Sequence, residues 1–372
     1  MIGWFSKAAV PILRNGAKKK LVRPEDVKTI LVPRFSPHLG SAMCTTPLFR
    51  LIKELRPDIK IGVLCDEFNE QIHKYNPYVD ERYVVPNPLH HFWKSVRAIR
   101  RLRPKFKNYE WILIDSANRR NVFLLPSFAT GIGCVAGFQT AGTVPDVHVP
   151  GPPGNTSEIS ANLVLLNLFE AADIPVDAEP EIYFSDIEEQ FVDELIARNQ
   201  IPQTKEIVAI QTQSKDRKPN RWPADRFSRL ADRLIGELEV SVVFTGSSLD
   251  RDAIENIRSM MKQSSCSVAG QINIVQLAAL LKRCSLFITL DTGPMHVGRA
   301  VDVPMVILAS AYQPSEIWLP LKNSKHVIIR KDRMPSTLSN QNHEKDFAWM
   351  EAITVEEVFS AACKQLAAKV QN

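Results

Sequence analysis

No apolar run in the 372-residue chain reaches the roughly 18 residues that a membrane-crossing helix requires, so no span is expected. The first residues, MIGWFSKAAVPILRNGAKKKLVR, make no secretory signal, because the charges follow the apolar part instead of preceding it. No Cys-x-x-Cys occurs, and none of Cys44, Cys65, Cys134, Cys266, Cys284 and Cys363 has a zinc-type spacing to another Cys or His. Buried, reduced thiols and a reducing compartment, the cytoplasm, are therefore expected. Repeats of 20–50 residues are missing, as is low complexity beyond one Pro/Gly-rich stretch. With 45% hydrophobic and 23% charged residues, the chain is neither disordered, collagen-like nor a disulfide miniprotein.

What is present suits two domains at about 100–200 residues each. The net charge of +5 is unevenly placed. Residues 1–110 hold 21 Lys/Arg against 10 Asp/Glu, an excess of 11, so the remaining 262 residues carry −6. A basic first third points to an anionic partner. Nucleic acid is not expected, because no recognised binding motif accompanies the charge.

Short apolar runs alternate with helical periodicity: strands at 29–33, 59–65, 79–85 and 111–115, with helices at 47–55 and 92–103 between them. That alternation predicts a parallel sheet with right-handed crossovers. Residues 142–158 read as a long loop, 159–172 as a helix and 174–181 as a linker. The pattern restarts with strands at 207–210, 240–245, 286–289 and 304–309 and helices at 224–238, 250–261 and 274–283, with a helix start at 295–300. The expected divisions are a basic amphipathic segment 1–24, domains at 25–178 and 179–350, and a last helix within 351–372.

Three loops follow strands and could carry chemistry. Leu290-Asp291-Thr292-Gly293-Pro294-Met295-His296 lies between a strand and a helix. Open α/β sheets bind ligands at the carboxyl ends of strands, and the N–H groups opening a helix suit a phosphate. Asp291 or Thr292 could cap that helix, and Gly293 would let a ligand approach the backbone. The loop after the strand at 207–210 carries Thr212, Lys215, Lys218 and Arg221, cations that could clamp a diphosphate, while Gly246 ends the next strand. The first loop, Arg34 to Ser41, holds His38, a possible base near neutral pH.

Taken in order, these segments resemble glycosyltransferase family nine, the ADP-heptose:lipopolysaccharide heptosyltransferases. The resemblance is carried by Ile30 to Ser36 with Gly40 and Thr45-Thr46-Pro47, Leu51 to Asp58, Asn76 to Asp80, Tyr109 to Asp115, Arg221 to Phe227, Val243 to Gly246, Leu277 to Leu281 and Asp291 to His296. It implies a GT-B fold, two Rossmann-like domains facing across a cleft, and a last helix that crosses back onto the first domain. It implies inverting, metal-independent transfer from a nucleotide sugar, typically ADP-heptose, with no other cofactor. Asp291, Thr292, Gly293, Pro294, Met295 and His296 would bind the donor, helped by Thr212, Lys215, Lys218, Arg221 and Gly246. Arg34, Gly40 and Asp115 would lie on the acceptor side. With no Asp-x-Asp metal motif expected in the chain, helix N-termini and Arg/Lys would stabilise the leaving diphosphate.

Two departures from the family pattern bear on mechanism. The family's Gly-Asp is Gly40-Ser41 here, and an unactivated hydroxyl is a poor base. The family's Lys two residues before the Trp is Asn220, with Lys218 and Arg221 beside it. His38 and Ser41 are thus the catalytic candidates, with Asp66, Glu67 and Asp115 as rivals from strand ends. The acceptor would be an anionic glycan or glycolipid. Peripheral membrane contact is expected through Trp4, Phe5, Ile12 and Lys18 to Lys20, and through the basic helix around Phe92 and Trp93. The alternatives are a catalytically silent nucleotide-sugar binder and a relative of the nucleotide-sugar epimerases.

Overall fold

The computed structural model describes residues 21–115, 127–139, 145–152, 156–171, 173–175, 177–202, 204–212, 221–311, 315–320, 325–331 and 349–369. The chain divides into two units, Met1–Tyr183 and Phe184–Asn372.

The first unit is built on a six-stranded sheet in the order β3-β2-β1-β4-β5-β6, every neighbour parallel. Its strands are β1 (Thr29–Arg34), β2 (Lys60–Cys65), β3 (Glu81–Val84), β4 (Trp111–Ile114), β5 (Cys134–Phe138) and β6 (Val147–Val149). β1, β2 and β4 are buried almost end to end, as strands covered on both faces must be. The helices are α1 (Leu39–Met43), α2 (Thr46–Leu55), α3 (Glu67–His73), α4 (Pro88–Leu102) and α5 (Glu158–Leu163). Local chemistry sets their starts: Pro47 lies in the first turn of α2, Asp66 caps α3 through the Asn69 N–H, and Asn87 caps α4 through the Leu89 N–H. Gly62 is required in β2, because a Cβ there would lie 2.2 Å from the Tyr109 hydroxyl.

The second unit repeats the winding. Its strands are β7 (Ile207–Gln211), β8 (Ser241–Thr245), β9 (Cys266–Ser267), β10 (Leu286–Leu290), β11 (Met305–Ala309) and β12 (His326–Arg330). They lie in the order β12-β11-β10-β7-β8-β9, again all parallel. Numbered within the unit and read from β9, this is the same 3-2-1-4-5-6 order as the first sheet, the dinucleotide-fold winding. The helices are α6 (Asp186–Arg198), α7 (Ala224–Leu238), α8 (Arg251–Ser259), α9 (Ile274–Arg283), α10 (Gly293–Ala300), α11 (Ser315–Trp318) and α12 (Val355–Lys369).

Four expectations need correction. The 142–158 loop contains β6, which pairs with β5. The helix expected over 159–172 is a shorter α5, followed by a 3₁₀ turn at Val164–Phe169. The linker does not end at Glu181: its N–H donates to Thr46 Oγ1 at 2.7 Å and its carboxylate takes Arg50 Nε at 2.5 Å, so the division falls after Tyr183. The last helix was expected to cross back to the first unit. Instead, Val358, Phe359, Ala362 and Leu366 of α12 are part of the second unit's core, with Phe227, Leu230 and Leu234 of α7. Of the segment 1–24, residues 1–20 lie outside the described residues. Val22 is buried, and its carbonyl accepts from Trp111 Nε1 at 3.0 Å, so the segment's end belongs to the first unit.

Candidate active site

In an open parallel sheet, ligands bind beyond the carboxyl ends of the strands where the strand order reverses. That point lies between β1 and β4 in the first unit and between β7 and β10 in the second.

At the first point, Arg34 closes β1 and Asp115 follows β4. Arg34 Nη1 donates to Asp115 Oδ2, and both side chains are 0% exposed. Arg34 Nη2 also reaches the carbonyls of Ser41 at 3.0 Å and Ala42 at 3.3 Å, in and beside the first turn of α1. Expected on the acceptor side, Arg34 and Asp115 are instead a buried clamp that holds α1 to the sheet. Gly40 is likewise buried inside α1. Ser41 is half-buried, with its carbonyl committed to Arg34. His38 is exposed and occupies the N-cap of α1 without a side-chain capping bond.

A second polar network braces the same loop. Asn69 Nδ2 donates to the Ser36 carbonyl at 3.0 Å and to Asp66 Oδ1 at 2.7 Å. Asn87 Nδ2 donates to the Phe35 carbonyl at 3.3 Å and to Asp66 Oδ2. Asp66, a rival base at the sequence level, is therefore a buried acceptor for two amides and the cap of α3. The two asparagines went unread because a single Asn gives no local sign of what it braces.

At the second point, Thr292 holds the N-cap of α10 with extended backbone, and no side-chain bond closes the cap. Its hydroxyl donates to Gln211 Oε1 at 3.3 Å, and so does the Thr289 hydroxyl at 3.4 Å. Gln211, the last residue of β7, thus ties the two strands together at the reversal. Asp291 is poised differently from an ordinary carboxylate: burial pushes it up to about 6, against the opposing pull of Arg330 at the end of β12. Gln211 was legible only as the start of a polar loop after a strand, and Arg330, a polar residue closing an apolar strand, carried no other sign in the sequence.

His296 is buried, and burial together with Arg299 lowers it to about 3, so the ring is neutral near pH 7. Its Nδ1 lies 3.4 Å from Arg299 Nη1, and its ring meets Trp318 edge-on at 6.1 Å. Arg299 also donates to the Trp318 carbonyl at 3.3 Å. Met295, another expected donor residue, is fully buried, whereas Gly293 and Pro294 are half-buried in the first turn. Gly298 sets how closely α10 sits on the sheet: a Cβ there would lie 2.7 Å from Met305 Sδ and 2.9 Å from Phe287 Cδ1.

Thr212 and Arg221 line an open recess of about 430 Å³ with Trp222, Pro223, Asn256 and Glu351. Lys215 and Lys218 lie outside the described residues. Gly246 makes room for a capping group, since a Cβ there would lie 3.0 Å from Asp250 Cβ. Contrary to the expected absence of an Asp-x-Asp, the chain has one such string, Asp250-Arg251-Asp252, opened by this capping Asp250. Its carboxylate accepts from the Ser247 N–H at 2.7 Å and the Ser247 hydroxyl at 2.8 Å, as a helix-capping box. Among the described residues, no group of three His, Cys, Asp or Glu is placed to hold a metal ion.

Comparison with known proteins agrees with this double winding. The family model for glycosyltransferase family 9 (heptosyltransferase) matches residues 114–347. Lipopolysaccharide heptosyltransferase 2 of Salmonella typhimurium is 25% identical over 308 residues, covering 78% of this chain and 85% of that protein. Lipopolysaccharide heptosyltransferase 3 of Escherichia coli is 25% identical over 281 residues, covering 73% and 80%. Among solved structures, a family 9 glycosyl transferase from Veillonella parvula superposes with a TM-score of 0.78 at 22% identity, over 92% of this chain and 97% of its own. E. coli ADP-heptose LPS heptosyltransferase II superposes with a TM-score of 0.72 at 20% identity, over 92% and 100%. The fold is thus GT-B-like, and with the family model matching more than half of its residues the chain belongs to glycosyltransferase family 9, the heptosyltransferases.

Proposed function

We propose that this glycosyltransferase moves a heptose from ADP-heptose, with inversion and without a metal, onto the lipopolysaccharide core or another membrane-associated glycan. On this reading it works in the cytoplasm, at the inner face of the membrane, and needs no cofactor beyond its nucleotide-sugar substrate. The observation that carries the reading is the placement of Asp291 to His296 at the reversal of the second sheet, where α10 begins without a side-chain cap. Relatives that are lipopolysaccharide heptosyltransferases, and E. coli heptosyltransferase structures with ADP and with ADP-2-deoxy-2-fluoro heptose, support the choice of donor and acceptor.

Each residue then has a task. The N-terminus of α10, opened by Gly293, meets the diphosphate with its partial positive charge. Thr292 is held in place by Gln211, and Gly298 keeps the helix seated. Arg221, with Lys215 and Lys218, neutralises the charge that grows on the leaving ADP, and the Thr212 hydroxyl donates a hydrogen bond to it. His296, on the buried face of α10, packs against Arg299 and Trp318 and fixes the helix from its own inner side. His38 takes the acceptor hydroxyl's proton as the hydroxyl oxygen attacks the anomeric carbon and the bond to the diphosphate breaks. Asp115 is poorly suited to that role because it is paired with Arg34 in the interior, and the Ser41 hydroxyl has no activating partner among the described residues. The replacement of the family's Asp by Ser41 also favours a second reading, a silent nucleotide-sugar binder.

The test is donor binding and transfer measured on the same preparations. ADP should bind in preference to UDP and GDP, and Asp291→Ala and Thr292→Val should each weaken it at least about tenfold. His38→Ala should keep ADP binding and lose about 10²–10⁴-fold in transfer, the usual worth of a positioned base. Donor binding without transfer to any core acceptor would establish the silent reading. A folded protein that binds no nucleotide would refute both.

A further inference from the structure

We propose that the outward face of α4 is the surface on which this enzyme rests against an anionic phospholipid leaflet. The idea builds on the membrane-associated acceptor proposed above, but its test needs no sugar transfer.

From Arg82 to Tyr109 the chain has eight Lys/Arg and no Asp or Glu. Folding sorts this stretch sharply. At about 100° per residue, Trp93, Lys94, Arg97, Arg100 and Arg101 fall within about 120° of one another around α4. All five are exposed, Trp93 by 73%. On the opposite side Val96 and Ile99 are buried in the first unit's core with Leu31, Leu64 and Ile112. The apolar side of this helix is already spent on the core, so its cationic side is what remains for a partner.

Three details separate this face from ordinary solvated charge. Several surface arginines of the second unit are matched by a carboxylate, as in Arg229–Asp225, Arg233–Glu237, Arg258–Glu255 and Arg283–Asp193. Lys94, Arg97, Arg100 and Arg101 make no ion pair among the described residues. Arg103 is set apart, since it packs over Gly131, where a Cβ would meet its Nε at 2.4 Å. Second, Trp93 is held outward instead of folding back. Non-helical backbone at His91 (φ −138°, ψ 54°) re-aims the chain, and Phe92, packed against the core, meets the Trp93 ring edge-on at 5.2 Å. Third, Leu89 is also exposed, at 42%, just before the kink. An indole among cations suits the headgroup layer, where the ring sits at the polar–apolar boundary and the cations meet anionic lipid.

The experiment is co-sedimentation of the full chain with vesicles of phosphatidylcholine alone and with 30 mol% phosphatidylglycerol. The wild type should bind only the anionic vesicles, and less tightly as salt is raised. A cation near the surface is worth about 1 kcal/mol, or about fivefold, so Arg97→Glu/Arg100→Glu/Arg101→Glu should lower the partition coefficient at least about a hundredfold. Trp93→Ala should lower it severalfold and should abolish the extra fluorescence quenching by brominated lipid. As a control for net charge, Lys262→Glu/Lys282→Glu/Lys364→Glu, all exposed in the second unit, should stay within about threefold of wild type. Unchanged vesicle binding by the α4 triple variant would overturn the proposal. So would an equal loss in the control, or capture by soluble heparin without binding to vesicles. Circular dichroism and ADP titration of each variant keep a failed fold or a failed donor assignment distinct from a failed membrane surface.

Discussion

Asp115→Ala tests the clamp at the heart of the first unit. Asp115 and Arg34 are both 0% exposed, so the substitution leaves a guanidinium inside the protein without its carboxylate. Breaking a buried pair this way costs about 3–5 kcal/mol. The lower end applies here, because Arg34 Nη2 retains the carbonyls of Ser41 and Ala42. At about 2–4 °C per kcal/mol for a domain of 150–250 residues, the first unit should melt about 6–12 °C lower. Differential scanning calorimetry should show that transition move while the second unit's transition stays. Replacing both partners by apolar groups, Arg34→Met/Asp115→Leu, should recover most of the loss, since a buried pair exchanged whole for hydrophobic side chains is often neutral. With α1 less firmly held, transfer should also fall while ADP affinity remains. A cost below about 1 kcal/mol for the single variant would refute the clamp, as would a double variant as unstable as the sum of the two singles.

Two further outcomes follow from the second unit. Gly298→Ala should destabilise it by about 1–3 kcal/mol and weaken ADP binding, because the added methyl pushes α10 off Met305 and the buried Phe287; unchanged melting and affinity would contradict this. Asp291 lies near 6 in the folded protein, above the ordinary carboxylate value of about 3.9. Its contribution to stability is therefore full below about pH 4 and is lost as the pH rises through 6. Asp291→Asn should remove that part of the slope in urea midpoints measured from pH 4 to 7, and parallel curves for wild type and variant would show that the carboxyl is not buried as described.

The strands with strong apolar runs were readable directly. Thr29–Arg34, Lys60–Cys65 and Leu286–Leu290 fall within a residue or two of their expected limits, because burial on both faces demands continuous hydrophobicity. β6 and β9 were not readable. Val147–Val149 sits in a Pro/Gly-rich stretch and Cys266–Ser267 is two residues long, and both exist only because a neighbouring strand pairs with them. The α12 helix was legible as a helix, whereas its place was not, since the residues that receive it, such as Phe227 and Leu234, lie more than a hundred positions away.

The site divides in the same way. Asp291-Thr-Gly-Pro-Met-His stood out because a strand, a loop and a helix start are local features, as was the cluster of cations from Lys94 to Lys107. By itself the sequence determined the alternating α/β pattern, the two-unit plan and the candidate nucleotide loop, all products of short-range periodicity. Tertiary structure alone decided that Arg34 and Asp115 face each other in the interior, that Asp66 serves two asparagines, and that the buried His296 of α10 meets Trp318. It also decided that the cations of α4 lie together without acidic partners. Such facts depend on which strand ends and helix faces meet across long separations, and a linear pattern of residue types carries no record of those meetings until the chain has folded.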